Sequence, residues 1–173
     1  MKNLFIDRQI DSMIRVNHAG EYAAKCIYRA QLAHIKDKDS KKLIHEMAKG
    51  EEIHLKYFED EIVKRRVRPT ILFPLVGKVS YAVGALTAMF GKESAMACTS
   101  AVEEVISDHY QSQIDQLDGK DSELKKKIIQ FREEELEHKA TAENYDLDSM
   151  KIKMLKKVIG GGCKAAIKLV RYL

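Results

Sequence analysis

A chain of 173 residues with nine glycines and two prolines is long enough to form one globular domain with its own core. Its three cysteines, Cys26, Cys98 and Cys163, form no paired spacing, which argues against a disulfide framework or a thiolate zinc site and favours a reducing compartment. The formal net charge of +4 is too small to indicate nucleic-acid binding by itself.

The first predicted helix runs from residue 7 to about residue 35. Asp7 and Arg8 interrupt any N-terminal hydrophobic run, so we predict no cleavable signal and expect the chain to stay inside the cell. Residues spaced alternately by four and three form an inward stripe: Ile10, Ile14, Asn17, Glu21, Ala24, Tyr28, Gln31 and Ile35. The stripe has a polar middle, because Glu21 stands where a leucine would be expected.

The second predicted helix spans about residues 40 to 66, after a polar turn and N-cap at 36–40. Its inward stripe is Ile44, Met47, Glu51, His54, Phe58 and Ile62. Glu51 and His54 are three residues apart and so share one helix face, where both can bind the same metal ion.

Residues 69–91 are mostly apolar and follow a basic cluster at Lys64, Arg65, Arg66 and Arg68. Their length raises the question of a membrane span, but two prolines, three glycines and Lys78 weaken it. We predict that Pro69 and Pro74 end the regular helix and that a short helix at about 75–90 lies in the membrane interface. The alternative is a helix covered by the rest of the bundle or by a second subunit.

The third and fourth predicted helices span residues 92 to about 117 and about 122 to 146. Their inward stripes are Met96, Thr99, Glu103, Ile106, Tyr110, Gln113 and Leu117, and then Leu124, Ile128, Phe131, Glu135, His138, Ala142 and Tyr145. Both stripes again place acidic residues at mid-length.

The last segment, 149–172, is predicted to be a basic amphipathic helix. From residue 151 onward it carries seven cations and no acid, which indicates either anionic lipid headgroups or a solvated basic face. Gly160, Gly161 and Gly162 predict a helix break there, or a close approach by another backbone or a lipid.

The two halves of the chain repeat one pattern. Glu51 and Glu135 each open a Glu-x-x-His unit, and these units are 84 residues apart. Glu21 precedes the first by 30 residues and Glu103 precedes the second by 32. Each leading glutamate has a tyrosine at +7 and a glutamine at +10. We interpret this as a duplicated helical hairpin.

Inward carboxylates at one level need cations, because burial and mutual repulsion disfavour their charged forms. One glutamate from each of two helices, plus Glu-x-x-His from each of two others, is the ligand pattern of a dimetal carboxylate bundle. The predicted ligands are Glu21, Glu51, His54, Glu103, Glu135 and His138. Glu51 and Glu135 would bridge two ions, and the ligand types suit iron or manganese.

Residues beside the ligands receive separate predictions. The acidic residues next to them in sequence, Glu52, Glu104, Glu134 and Glu137, should face elsewhere, because one residue turns about 100° around a helix. Tyr28 and Tyr110 could orient ligands or pass electrons and protons, although Tyr28 is equally well explained as a core residue. His18 and His109 flank the ligand stripe and either steer a substrate, support a carboxylate or are ordinary hydrogen-bonded histidines.

Six stretches resemble the demethoxyubiquinone hydroxylases of ubiquinone biosynthesis, in order and at compatible spacing. They are Arg15–Tyr22 (RVNHAGEY), Glu51–Leu55 (EEIHL), Arg68–Thr70 (RPT), Gly91–Thr99 (GKESAMACT), Ala101–Glu104 (AVEE) and Phe131–His138 (FREEELEH). The resemblance implies an all-α, ferritin-like four-helix bundle at 1–173, with additional short interfacial and C-terminal amphipathic helices. It covers nearly the whole chain.

The family's activity is a di-iron monooxygenase reaction with O₂ on the ring of demethoxyubiquinone, a polyprenyl benzoquinone, in the penultimate step of the pathway. The resemblance implies two iron ions at the six predicted ligands and NADH as the electron source. His109 and Tyr110 match a pair that connects reductant or quinone to the metals. It also implies a peripheral protein on membrane lipid at the cytoplasmic face of the inner membrane. Proteins of ubiquinone biosynthesis and a homo-oligomer are the candidate partners, without nucleic acid.

Three other functions are considered. A ferritin- or rubrerythrin-like protein that handles iron or peroxide would share the ligands but has no need of the apolar 69–91 segment. A hydroxylase acting on tRNA would use the positive charge and leave that segment without a role. A non-enzymatic membrane scaffold would make the register of six ligand residues accidental.

Overall fold

The structure, a computed structural model, describes residues 4–173, with side chains from residue 8 onward. Its described part forms helices and no strand: α1 Leu4–His34, α2 Lys38–Arg65, α3 Phe73–Met89, α4 Lys92–Gln116, α5 Ser122–Glu143 and α6 Met150–Tyr172. The predicted all-α class is confirmed, and every predicted helix is found. Residues 1–3 of the predicted domain 1–173 lie outside the described residues.

The chain divides into two compact units. The first contains Met1–Leu86 and Ala165–Leu173, and the second contains Thr87–Lys164. That they form one domain stays a prediction. Among the described helices, none combines the length and apolar character that crossing a bilayer requires.

In the first unit, α1 and α2 form an antiparallel pair. The Asp37 side chain caps α2 by accepting a 2.9 Å hydrogen bond from the Ser40 backbone N–H. The predicted apolar stripe positions are buried, with Ile14, Ile44 and Phe58 fully enclosed. The pair thus forms by burial of the stripes read from the sequence.

Helix α3 packs on α1 through small residues. Gly77 lies against the ring of Tyr22, and Gly84 lies against the backbone of Ile27. The opposite face is exposed at Leu75, Val79 and Leu86. The glycine face is therefore covered by α1, as the alternative prediction has it, and the opposite apolar face is exposed, whereas its place in a membrane interface stays a prediction.

Pro74 has a different place from the one predicted. It stands in the first turn of α3 rather than ending a helix. The first turn accommodates proline because its backbone nitrogens have no partner within the helix. The prediction that Pro74 ends a helix is therefore wrong.

The C-terminal end of α6 packs within the first unit. Val170 packs with Val16 and Ala19, and Leu72, Val76 and Ile167 surround this cluster. The Arg15 guanidinium donates to the backbone oxygens of Arg68, at 2.8 Å, and Arg171, at 3.4 Å. The end of the basic segment is therefore partly buried.

In the second unit, α4 and α5 form the other antiparallel pair. Asp121 caps α5 by accepting a 3.0 Å hydrogen bond from the Leu124 N–H. Glu143 connects three helices, because its Oε1 accepts from Ser100 Oγ at 3.0 Å and from Lys156 Nζ at 3.3 Å. These contacts attach the first half of α6 to the pair.

The glycine run in α6 does not break the helix. Gly160, Gly161 and Gly162 all lie within continuous α-helix. A Cβ added at Gly161 or Gly162 would meet no described atom within 4 Å, and one at Gly160 would be 3.7 Å from Val105 Cγ2. The predicted break is therefore wrong, and no backbone of another described segment lies within 4 Å of the added Cβ atoms, whereas a close approach by a lipid stays a prediction.

Candidate metal centre

The first unit contains one buried cluster of predicted ligands. Glu21 comes from α1, and Glu51 and His54 come from α2. Potential ligand atoms of these three residues lie within 4.8 Å of one another. His54 Nδ1 is 3.6 Å from Glu21 Oε2, and all three side chains are at most 1% exposed. Helix pairing thus brings together residues that are 30 positions apart in sequence.

The second unit contains a matching cluster. Glu103 comes from α4, and Glu135 and His138 come from α5. Their potential ligand atoms also lie within 4.8 Å of one another. His138 Nδ1 is 3.3 Å from Glu135 Oε2, and the His138 side chain is 15% exposed. The repeat read from the sequence therefore has a structural counterpart in each unit.

The neighbouring acidic residues point away from these clusters. Glu52, Glu104 and Glu137 are exposed, and Glu134 is half-buried with a hydrogen bond from Gln130. Glu52 Oε1 lies 3.9 Å from Lys25 Nζ, and Glu104 Oε2 lies 3.8 Å from Lys139 Nζ. One step along the helix thus separates a buried carboxylate from one on a solvated, cation-rich surface.

Each cluster has the chemistry of a divalent-cation site. Two carboxylates and one imidazole supply oxygen and nitrogen donors, which suit iron or manganese. Crowded buried carboxylates are unfavourable without a cation, because each raises the cost of ionising the other. The residues present therefore fit metal ions in both units.

The buried thiols do not belong to this chemistry. Burial raises the pKa of Cys98 to about 12 and also raises that of Cys163. Both therefore remain protonated at neutral pH, whereas a metal ligand must be a thiolate.

The predicted catalytic pair lies on α4. Tyr110 is buried, and His109 is half-buried. Gln113 Nε2 lies 2.7 Å from His109 Nε2, so with the amide donating, that ring nitrogen accepts and Nδ1 carries the proton. In the first unit, the Tyr28 hydroxyl lies 3.9 Å from Met47 Sδ, a contact with the core.

His18 packs against a residue that the sequence did not single out. Its ring stacks on Phe73 at the start of α3, with centroids 4.8 Å apart, and Phe73 also stacks on Tyr22 at 4.1 Å. Burial lowers the pKa of His18 despite an opposing effect from Glu59, so the ring is neutral at neutral pH. An aromatic residue just before a proline was the available signal for Phe73.

Comparison with known proteins gives a match over nearly the whole chain. The family model described as "Ubiquinone biosynthesis protein COQ7" matches residues 8–170. A Mus musculus protein named "NADPH-dependent 3-demethoxyubiquinone 3-hydroxylase, mitochondrial" is 46% identical over 165 residues, covering 92% of this chain and 76% of the relative. The Homo sapiens protein of the same name is 44% identical over 169 residues, covering 95% of this chain and 78% of the relative. A Rhodospirillum rubrum "3-demethoxyubiquinol 3-hydroxylase" is 44% identical over 131 residues, covering 75% of this chain and 62% of the relative.

Proposed function

Because the chain belongs to the COQ7 family of ubiquinone biosynthesis proteins, we propose that it is a monooxygenase that hydroxylates the benzoquinone ring of demethoxyubiquinone. The observation that carries this proposal is the pair of buried Glu-x-x-His clusters, each with a further glutamate, inside the matched range. Their ligand set suits a metal that reacts with O₂.

The two clusters together would hold two iron ions. Glu51 and Glu135 would bridge them, Glu21 and Glu103 would bind one ion each, and His54 and His138 would each complete one ion's ligand set. Four carboxylates balance the charge of two divalent cations, which would stabilise an otherwise repulsive buried layer. Reduced iron bound there would supply the reaction with O₂.

His109 and Tyr110 would link the reductant or the quinone to the metal ligands. Tyr110 stands two helical turns beyond Glu103 on the same stripe, and its hydroxyl is a donor and acceptor in a buried setting. The 2.7 Å contact between Gln113 Nε2 and His109 Nε2 would hold the orientation of the His109 ring next to Tyr110. These two residues would therefore move or hold protons beside the site.

A reduced nicotinamide dinucleotide would provide the electrons. The family resemblance implies NADH, whereas the names of the mammalian relatives specify NADPH. The sequence contains no G-x-G-x-x-G fingerprint, so a Rossmann-type dinucleotide site is not expected. The choice between the two dinucleotides is part of the activity test.

The test is to incubate the iron-loaded protein with demethoxyubiquinone and O₂, with NADH or NADPH in parallel, and to detect the product by mass spectrometry. We expect a quinone heavier by one oxygen atom, labelled when ¹⁸O₂ is supplied, and none with iron-free protein. Iron oxidation or peroxide consumption without hydroxylated quinone would instead favour a ferritin- or rubrerythrin-like function.

The protein would reach its hydrophobic substrate as a peripheral membrane protein. The face of α3 opposite its glycines is apolar and exposed, and α6 exposes Met154 and Val158 among its lysines. Apolar side chains flanked by cations suit an interface with anionic lipid. This proposal includes attachment at the cytoplasmic face of the inner membrane. It also includes other proteins of the pathway, or a second copy of this chain, as partners.

Charged residues on the exposed face of α3 should release the protein from lipid. We expect Leu75→Asp combined with Val79→Asp to reduce binding to anionic liposomes by about tenfold or more, because both side chains would lose apolar burial in lipid. Flotation or sedimentation with liposomes measures this loss. The matched control is Ile53→Asp with Val63→Asp on α2, where the side chains are 65% and 77% exposed. Equal losses in both variants would contradict the assignment of α3.

A further inference from the structure

Thr99 has a buried hydroxyl with no hydrogen-bond partner among the described residues. The residue lies on α4, is 1% exposed, and its Oγ1 makes no hydrogen bond within the described part of the chain. A buried hydroxyl in this condition is unfavourable, because it has lost its hydrogen bonds to water without replacing them. Such a group suggests a partner outside the protein chain.

Other buried hydroxyls on the same helix are satisfied. Ser107 Oγ donates to the backbone oxygen of Glu103, one turn earlier, as serine and threonine in helices commonly do. Ser100 Oγ donates to Glu143 at 3.0 Å. Thr99 makes neither kind of bond, although a backbone oxygen lies one turn before it on the same helix. Its hydroxyl is therefore directed elsewhere.

The spacing of Thr99 puts it on the same side of α4 as a predicted metal ligand. Thr99 precedes Glu103 by four residues, so the two side chains share one face of α4. The duplication repeats the arrangement, because Asn17 precedes Glu21 by the same four residues and is also buried. A buried polar side chain thus stands one turn before the leading glutamate in each half.

We propose that the Thr99 hydroxyl donates a hydrogen bond to an oxygen atom of the bound quinone ring and so positions the ring. This rests on the function proposed above. Benzoquinone carbonyl oxygens accept hydrogen bonds and cannot donate them, so a buried quinone needs a donor where Thr99 offers one. The hydroxyl and the quinone oxygen would each gain the hydrogen-bond partner that the other lacks. A site built in this way discriminates against ligands without the acceptor oxygen.

The test compares Thr99→Val, which removes the hydroxyl at nearly constant volume, with Thr99→Ser, which keeps it. A short-tail demethoxyubiquinone analogue is titrated by calorimetry into iron-loaded protein without reductant or O₂. We expect Thr99→Val to weaken binding about fivefold to tenfold. We expect Thr99→Ser to bind within about twofold of the wild type, since it retains the donor. The melting temperature of quinone-free Thr99→Val should be unchanged or higher, because an unsatisfied buried group has been removed.

The matched control is Ser100→Ala, one residue away on a different helix face. It should lower the melting temperature by breaking the bond to Glu143, and it should leave quinone affinity unchanged. Unchanged affinity in Thr99→Val, or a loss of stability or iron in that variant, would overturn the proposal and indicate a structural or metal-supporting role. If the wild type itself does not bind the quinone analogue, the proposed function fails as well.

Discussion

Glu135→Ala is expected to abolish both metal loading and turnover. Glu135 is fully buried, and its Oε2 lies 3.3 Å from Nδ1 of the other α5 ligand candidate, His138. If it bridges two ions as proposed, its loss removes a donor from both of them. Changes in groups that merely support a ligand cost about 10- to 100-fold, so losing a bridging ligand should cost more than about 100-fold. Iron analysis and the ¹⁸O₂ product assay measure the two effects.

Glu137→Ala is the matched control for this variant. Glu137 lies on the same helix two residues later and is exposed, so its replacement should change neither iron content nor activity. Metal-free Glu135→Ala should be at least as stable as the metal-free wild type, since one of several crowded carboxylates has been removed. A Glu135→Ala protein that keeps its iron and its activity would rule out the bridging role.

Gly84→Ala is expected to destabilise the protein strongly for a single methyl group. A Cβ at this position would overlap the Ile27 backbone oxygen and would lie 2.8 Å from Ile27 Cα. Neither atom can rotate away, so α3 must move off α1. Overpacking of this kind costs about 3 kcal/mol, and the better helix propensity of alanine returns about 1 kcal/mol. The net loss of about 2 kcal/mol should lower the melting temperature by about 4–8 °C, as differential scanning calorimetry can measure.

Gly161→Ala makes the same chemical change but is expected to raise the free energy of unfolding instead of lowering it. A Cβ there meets no described atom within 4 Å, so only the helix propensity changes. The expected result is a gain of up to about 1 kcal/mol. If both variants shifted the melting temperature in the same direction, the close packing of α3 on α1 would be refuted.

Helix positions were predictable because they depend on local spacing. The alternating stripes, the polar turn before α2 and the Asp–Ser turn before α5 determine where helices run and which face is buried. Glu-x-x-His likewise sets the relation of its two residues within one helix turn. Glu21 and Glu103, which come from the other helix of each pair, were predicted from the repeat. The pairing of α1 with α2 and of α4 with α5 brings each of them close to its Glu-x-x-His unit.

Features that depend on contacts between distant segments were not predictable in this way. Composition could not tell which face of α3 would be covered, because that depends on two glycines meeting Tyr22 and Ile27. A break at the glycine run was one of two predicted outcomes for α6, yet the helix is continuous, and Lys156, one turn before the run, donates a hydrogen bond to Glu143 of α5. Propensity is a weak preference that tertiary contacts override.

By itself, the sequence determined the helical class, the inward faces and the identity of the six ligand candidates, since these follow from helix periodicity and from the pattern that the two halves repeat. The tertiary structure alone decided that α3 lies on α1 with an apolar face exposed, that the end of α6 packs with Val16 and Ala19, and that the Thr99 hydroxyl is left without a partner in the described chain. The physical reason is the separation along the chain over which each effect acts. Periodicity is a property of neighbouring residues, whereas close packing and hydrogen-bond satisfaction depend on which atoms from distant segments come into contact.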